Sequence, residues 1–400
     1  MSRREKNTGV ERTGVLYFGP LGIKGGIGGS ARLRNMLGIL KKLDIQTRLI
    51  SYLSDKKYEV THQHLDDYLD ATVISVPGAW PQLLKLPVPF LTLYYGLKYI
   101  GKSDLVMAHS ANTAYGLSAL LLARVFGKPL LIDLTDSRDP ATPGFVYRFL
   151  LRRANTVFVV SRYLEEVAKK AGSRKVVHAP GFIDAGSFSF NVTERERIRA
   201  EYGIGSKEIA IGYAGAFAVE EGLPYLVKAF KELTARHGNI KLVLIGGKMA
   251  PHSDDIPGLI KELGIEDRVI IIPPQPYEMM PAYLSALDIA CSPKIDCLVN
   301  HCADPIKIYE YMAVGLPTVA SAVSETVNVI ETGTDGFLVR PEDTDDLVKT
   351  LDNVIQNIGS FEDLKKKARN KVIGNYTQEV VLGKLEEALS SLLGDRQAGN

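Results

Sequence analysis

A chain of 400 residues with 46% hydrophobic and 24% charged positions has material for two ordinary cores, so two domains of similar size are expected. Its formal net charge of +2 gives no global reason to expect nucleic-acid binding, and no apolar run reaches the ~20 residues that a membrane span needs. The opening "MSRREKNTGVERTG" lacks the apolar segment of a signal peptide, and residues 1–13 are expected to form a disordered arm.

Short apolar runs then alternate with longer amphipathic ones. In chain order the expected strands are "VLYF" (15–18), "TRLIS" (47–51), "TVISV" (72–76), "DLVMA" (104–108), "LLID" (130–133), "TVFVV" (156–160) and "KVVHA" (175–179). Helical patterns such as "SARLRNMLGILKKL" and "TAYGLSALLLARVF" lie between them. After a looser stretch the alternation restarts with "IAIGYA" (209–214), "IKLVLIG" (240–246), "RVIII" (268–272), "LDIACS" (287–292), "PTVAS" (317–321) and "GFLV" (336–339). Buried strands alternating with helices predict doubly wound parallel α/β sheets. Two Rossmann-like domains are expected, at 14–190 and 208–372, with a cleft between them. Residues 373–400 are expected to be helical and to pack back toward the N-terminal domain.

Groups able to carry chemistry cluster at the predicted strand ends. "GPLGIKGGIGGSARL" follows the first strand and places Gly28 and Gly29 just before Ser30, an expected N-cap. Glycines there permit close backbone approach to a phosphate at a helix N-terminus. The loop lacks the Gly-Lys-Ser/Thr ending of a P-loop, because Lys24 precedes it. His109 follows "DLVMA", and Asp133, Asp136, Arg138 and Asp139 surround the end of "LLID". These carboxylates suit hydroxyls, a metal or solvent equally well.

In the second half Gly215 follows a strand, and Glu220, Glu221 and Gly222 precede a helix. "CADPIKIYEYMAVGLPTVAS" reads as a helix with marked ends: Asp304 as N-cap, Pro305 in the first turn, Gly315 after the last. Lys307 and Glu310, three apart, share one face near the helix start, which suits a phosphorylated, hydroxylated ligand. A plain exposed ion pair is the alternative. Cys291, Cys297 and Cys302 lie close to His301, but their spacing lacks the C-x-x-C of structural zinc sites, so no metal is expected. Their small, odd number argues for a reducing compartment.

In this order the motifs resemble retaining GT-B glycosyltransferases of family 4, the glycosyl transferases group 1. They are the Gly28–Gly29 loop, "DLVMAHS", "LIDLTD", "VVSRYL", "GYAGAFAVEEGL", "LIGG", "LDIACSP", "DPIKIYEYMAVGLPTVAS" and "NVIETGTDGFLVRPEDTDDL". The resemblance implies a nucleotide-sugar donor held mainly by the C-terminal domain. It implies catalytic roles for His109, near the donor sugar, and Lys307, beside the diphosphate. It implies donor contacts from Gly28, Gly29, Gly215, Asp304, Lys307 and Glu310, the last accepting from ribose hydroxyls. The chain departs from the family at Cys302, in place of the first glutamate of E-x7-E, and at Ala216 and Glu221, in place of Arg and Lys.

The implied function is metal-independent sugar transfer, without cofactor, from a nucleoside-diphosphate sugar to a hydroxyl acceptor, lipid-linked or a growing glycan. The alternatives are a non-catalytic sugar-binding or partner subunit, and a sugar-nucleotide epimerase. The expected location is cytoplasmic. "PVPFLTLYYGLKYIGKS" (87–103) and "FVYRFLLRRAN", with Arg148, Arg152 and Arg153, suggest peripheral attachment to the cytoplasmic membrane face. Ordinary core packing of these helices is the competing reading.

Overall fold

The computed structural model describes residues 13–20, 28–55, 57–77, 87–111, 113–135, 144–248 and 253–394. Residues 1–12 of the expected arm, Lys24, Asp136, Arg138 and Asp139 lie outside these residues. The chain divides into two compact units. One comprises the residues up to Val160, Leu164–Ala179 and Lys384 onward, and the other Ser161–Tyr163 and Pro180–Gly383.

The first unit is built on β1 (Gly14–Phe18), β2 (Gln46–Asp55), β3 (Glu59–Asp66), β4 (Leu69–Pro77), β5 (Leu105–His109), β6 (Leu130–Leu134), β7 (Thr156–Val159) and β8 (Val176–His178). Their order is β3-β4-β2-β1-β5-β6-β7-β8. All neighbours are parallel except β3, which runs antiparallel on β4. The expected sheet therefore gains an edge strand that the pattern of apolar runs missed. β3 is "EVTHQHLD", half-exposed along its length, and a solvated edge needs no apolar run.

The second unit is built on β9 (Ile209–Ala216), β10 (Ile240–Gly247), β11 (Val269–Ile272), β12 (Ile289–Ser292), β13 (Thr318–Ser321) and β14 (Phe337–Val339). The order β11-β10-β9-β12-β13-β14, all parallel, is the Rossmann 3-2-1-4-5-6 arrangement. Both faces are buried, which explains the unbroken apolar runs. Ala210, Ala214, Val243 and Ile245 pack against one helical layer, and Ile211, Tyr213, Leu242 and Leu244 against the other. The chain order reverses between β9 and β12, so the crevice beyond their carboxyl ends is where such a sheet takes ligands.

The changeover between units falls at Ala179–Pro180, ahead of the span 190–208 read from the sequence. Residues 180–207 belong to the second unit for a physical reason. Ile183, Phe188, Ile198 and Ile204 enter its core, while Arg195 and Arg199 both pair with Asp288. The tail also divides: helix Gln378–Gly394 starts in the second unit, and from Lys384 it belongs to the first, where Lys175 bonds Ser391.

Candidate functional site

In the second unit the residues singled out from the sequence gather at the carboxyl rim of β9 and β12. Helix Ile306–Val314 begins there and buries every residue from Ile308 to Val314, with Gly315 closing its last turn. Lys307 and Glu310 do share a face, but it is not a solvated one, which removes the exposed-pair reading. The Lys307 ammonium is ion-paired with Glu221, donates to the Tyr213 hydroxyl at 3.1 Å and lies 4.5 Å from the centre of that ring.

Two glycines make this approach possible. Gly215 has φ +149°, and a Cβ there would sit 2.7 Å from the Tyr213 hydroxyl and 3.1 Å from Lys307 Nζ. Gly222 has φ +66°, and its Cβ would sit 2.0 Å from the Pro293 carbonyl oxygen. The 3-10 turn Val219–Glu221 is thereby held against the residues that leave β12. The Ile295 N–H and the Asn300 side chain both donate to the Glu220 carbonyl, at 3.2 and 2.7 Å.

Burial works against both charges of the central pair. For Glu221 it is outweighed by Lys307 and then Lys294, which hold the carboxyl below its ordinary range. For Lys307 burial dominates and pulls the ammonium down, Glu221 opposing it. Glu310 lacks such a partner. Burial pushes its carboxyl up to about 7, opposed by the Tyr277 hydroxyl and by Lys307.

Lys294 and Tyr277 were missed in the sequence reading. Each follows the end of a strand, β12 and β11 respectively, and that address is the signal that could have found them.

Asp304 differs from its expected place. The N-cap residue of the helix is Pro305, without a side-chain cap. The Asp304 carboxylate instead accepts from the Gly181 N–H and, at 2.6 Å, from the Tyr309 hydroxyl. Asp304 thus joins the loop after Ala179 to the helix, and the donor contact inferred for it has to compete with these bonds.

The cysteines do not converge. Cys291 is buried within β12, where burial pushes its thiol up, and Cys302 is buried at the end of helix Leu298–Cys302. None of the three forms a disulfide, and His301 bonds Asp296 at 2.7 Å. Among the described residues no group of three or more His, Cys, Asp or Glu is placed to hold a metal.

In the first unit the sheet reverses between β1 and β5, and His109 closes β5. Its Nε2 lies 3.2 Å from the Thr135 hydroxyl and its Nδ1 3.9 Å from Asp133. Asp133 is fully buried and receives two bonds from the Arg32 guanidinium, at 2.9 and 3.2 Å. The solvated-rim reading of Asp133 is therefore corrected: it is an internal anion beside His109, and Arg32 was not foreseen as its partner. Gly28 and Gly29 are the first residues of helix Gly28–Lys42, so Ser30 lies inside that helix and is not its N-cap.

Two α/β sheets, each reversing at a polar rim, make up the GT-B architecture. Sucrose-phosphate synthase from Thermosynechococcus elongatus shares this fold, with a TM-score of 0.75 and 20% identity over 96% of this chain and 100% of that one. Residues 194–371, a little under half of the chain, match the family model of the glycosyl transferases group 1.

The chain is 27% identical, over 59% of its length, to alpha-D-kanosaminyltransferase of Streptomyces kanamyceticus, spanning 64% of that protein. It is 24% identical to the GDP-mannose-dependent alpha-(1-6)-phosphatidylinositol monomannoside mannosyltransferase of Mycolicibacterium smegmatis, over 80% of this chain and 85% of that protein.

Proposed function

We propose that this protein transfers a sugar, with retention of configuration, from a nucleoside-diphosphate sugar to a hydroxyl acceptor. The observation that carries the reading is the placement of half-buried Lys307, ion-paired with Glu221, and buried Glu310 on one helix face, at the point where the second sheet reverses. Glu310 accepts from the ribose hydroxyls. Lys307 and the positive end of its helix meet the charge that develops on the departing diphosphate. The acceptor oxygen bonds to the anomeric carbon as the bond to the phosphate oxygen breaks, and the acceptor proton passes to that oxygen. No protein nucleophile or metal is needed for this, so Cys302 in place of a carboxylate is compatible with turnover. His109, set by Asp133 and Thr135, is the proposed contact to the transferred sugar.

Purified protein screened by thermal shift against UDP-, GDP-, ADP- and dTDP-sugars is expected to be stabilised by at least one donor, and then to release that nucleoside diphosphate. Absence of stabilisation by every donor would overturn the reading.

The proposed acceptor is lipid-linked, reached from the membrane surface. Helices Pro87–Tyr99, Thr113–Val125 and Phe145–Arg153 contain no acidic residue, and the middle one packs on both others. Phe90, Tyr94 and Leu97 recur along one side of the first helix and are exposed, Phe90 by 72%. Phe145, 83% exposed, stacks on Phe149, and Arg153 lies over that ring. Exposed aromatic groups among cations suit a bilayer interface, and the mannosyltransferase of M. smegmatis names a phosphatidylinositol acceptor. Among the described residues no helix is long and apolar enough to cross a membrane. Flotation with anionic vesicles is expected to recover the protein at low salt, and Phe90→Asp with Phe145→Asp to abolish recovery. Failure to float at low salt excludes this surface as an anchor.

A further inference from the structure

Lys294 is 8% exposed, and among the described residues its ammonium makes no hydrogen bond or ion pair. The stem is covered while the ammonium keeps some access to solvent, so it is open to an anionic ligand. Its backbone is fixed on both sides: the Pro293 carbonyl packs on Gly222, and the Ile295 N–H bonds Glu220. These contacts hold the Lys294 backbone against the turn that carries Glu221. The lysine's charge acts both on Glu221, lowering the carboxyl, and on Lys307, opposing a second cation. Two lysines face Glu221 here, while Glu310, the other carboxylate that acts on Lys307, is pushed toward its neutral form by burial.

We propose that Lys294 and Lys307 together form the cation pair for the donor diphosphate, with Glu221 as the internal anion that occupies Lys307 until the diphosphate displaces it. The proposal rests on the nucleotide-sugar reading above and adds two residues to it. Lys294 supplies the second cation that Ala216 and Glu221 leave missing from the sequence motif. Glu221, which looks adverse to an anionic ligand, keeps Lys307 charged and oriented while the site is empty. Binding exchanges one anion for another, so Lys307 is not desolvated anew.

The test is titration of the full chain with UDP, GDP, ADP and dTDP, each beside its nucleoside, for wild type, Lys294→Gln, Lys294→Arg and Glu221→Gln. For whichever diphosphate the wild type binds, Lys294→Gln is expected to weaken it roughly 10- to 100-fold, the size of one charge-assisted contact, while the nucleoside changes less than about twofold. Lys294→Arg should retain most of the affinity. Glu221→Gln should tighten the diphosphate, because the competing anion is gone.

If Lys294→Gln leaves diphosphate affinity within about twofold of wild type, Lys294 only steadies Glu221 and the proposal fails. Weaker diphosphate binding by Glu221→Gln overturns the placeholder role. A wild type that binds none of the four diphosphates removes the nucleotide-sugar reading itself, a result distinguishable from the first two.

Discussion

Glu310→Gln is expected to stabilise the free protein at pH 8, to leave its stability nearly unchanged at pH 5, and to weaken nucleotide binding. The sign follows from burial. The folded carboxyl titrates at about 7, against an ordinary value of 4.5. Between those values the folded state holds a proton that the unfolded state has lost, so this group's penalty is absent below the lower value. It grows as pH rises and is complete above the upper one. For a shift of this size the penalty is at most roughly 3 kcal/mol, which glutamine removes while still able to accept from Tyr277.

Ribose hydroxyls favour the ionised form. Wild-type nucleotide affinity should therefore climb between pH 6 and 8, and that slope should vanish in Glu310→Gln, with a loss of roughly 10- to 100-fold at pH 8. Thermal unfolding at the two pH values, with titrations across the range, checks both halves. Equal shifts in melting temperature at pH 5 and 8 would contradict the buried-acid account, and unchanged affinity would remove Glu310 from the ribose.

Lys307→Met is expected to have the largest effect on stability. It leaves Glu221 buried without its ion partner, and breaking such a pair costs about 3–5 kcal/mol, softened here by the remaining charge of Lys294. Adding Glu221→Gln should recover most of that loss, since a neutral amide at this position can still bond the Tyr213 hydroxyl. Diphosphate binding should stay lost in the double variant, because both the contact and the leaving-group cation are gone. Denaturant unfolding and nucleotide titration of the single and double variants separate the two roles. If the double variant binds like the wild type, Lys307 serves only to neutralise Glu221.

Glu310 and Lys307 show how far local pattern reaches. Their three-residue spacing put them on one face from sequence alone, and the glycine after the helix marked its end correctly. The strand runs were equally legible, because parallel strands buried on both faces must be apolar where they cross the core, as Leu105–Ala108 of β5 and the middle of β9 are. Where polar residues served the fold, pattern failed. The hairpin strand β3 sits on a solvated edge and has no apolar signature. Asp304 looked like a helix cap because caps are local, yet its carboxylate reaches Gly181, distant in the chain.

The sequence by itself determined the two sheets, the strand-end glycines and the motif order that resembles the glycosyl transferases group 1. Only the tertiary structure decided who pairs with whom: Asp133 with Arg32, Lys307 with Glu221, and Lys294 with no group among the described residues. Periodicity and capping act within a few residues along the chain and so are written in it. Charge pairing, burial and the resulting proton affinities depend on distances through space, and these exist only once β9, β12 and the helix Ile306–Val314 are packed together.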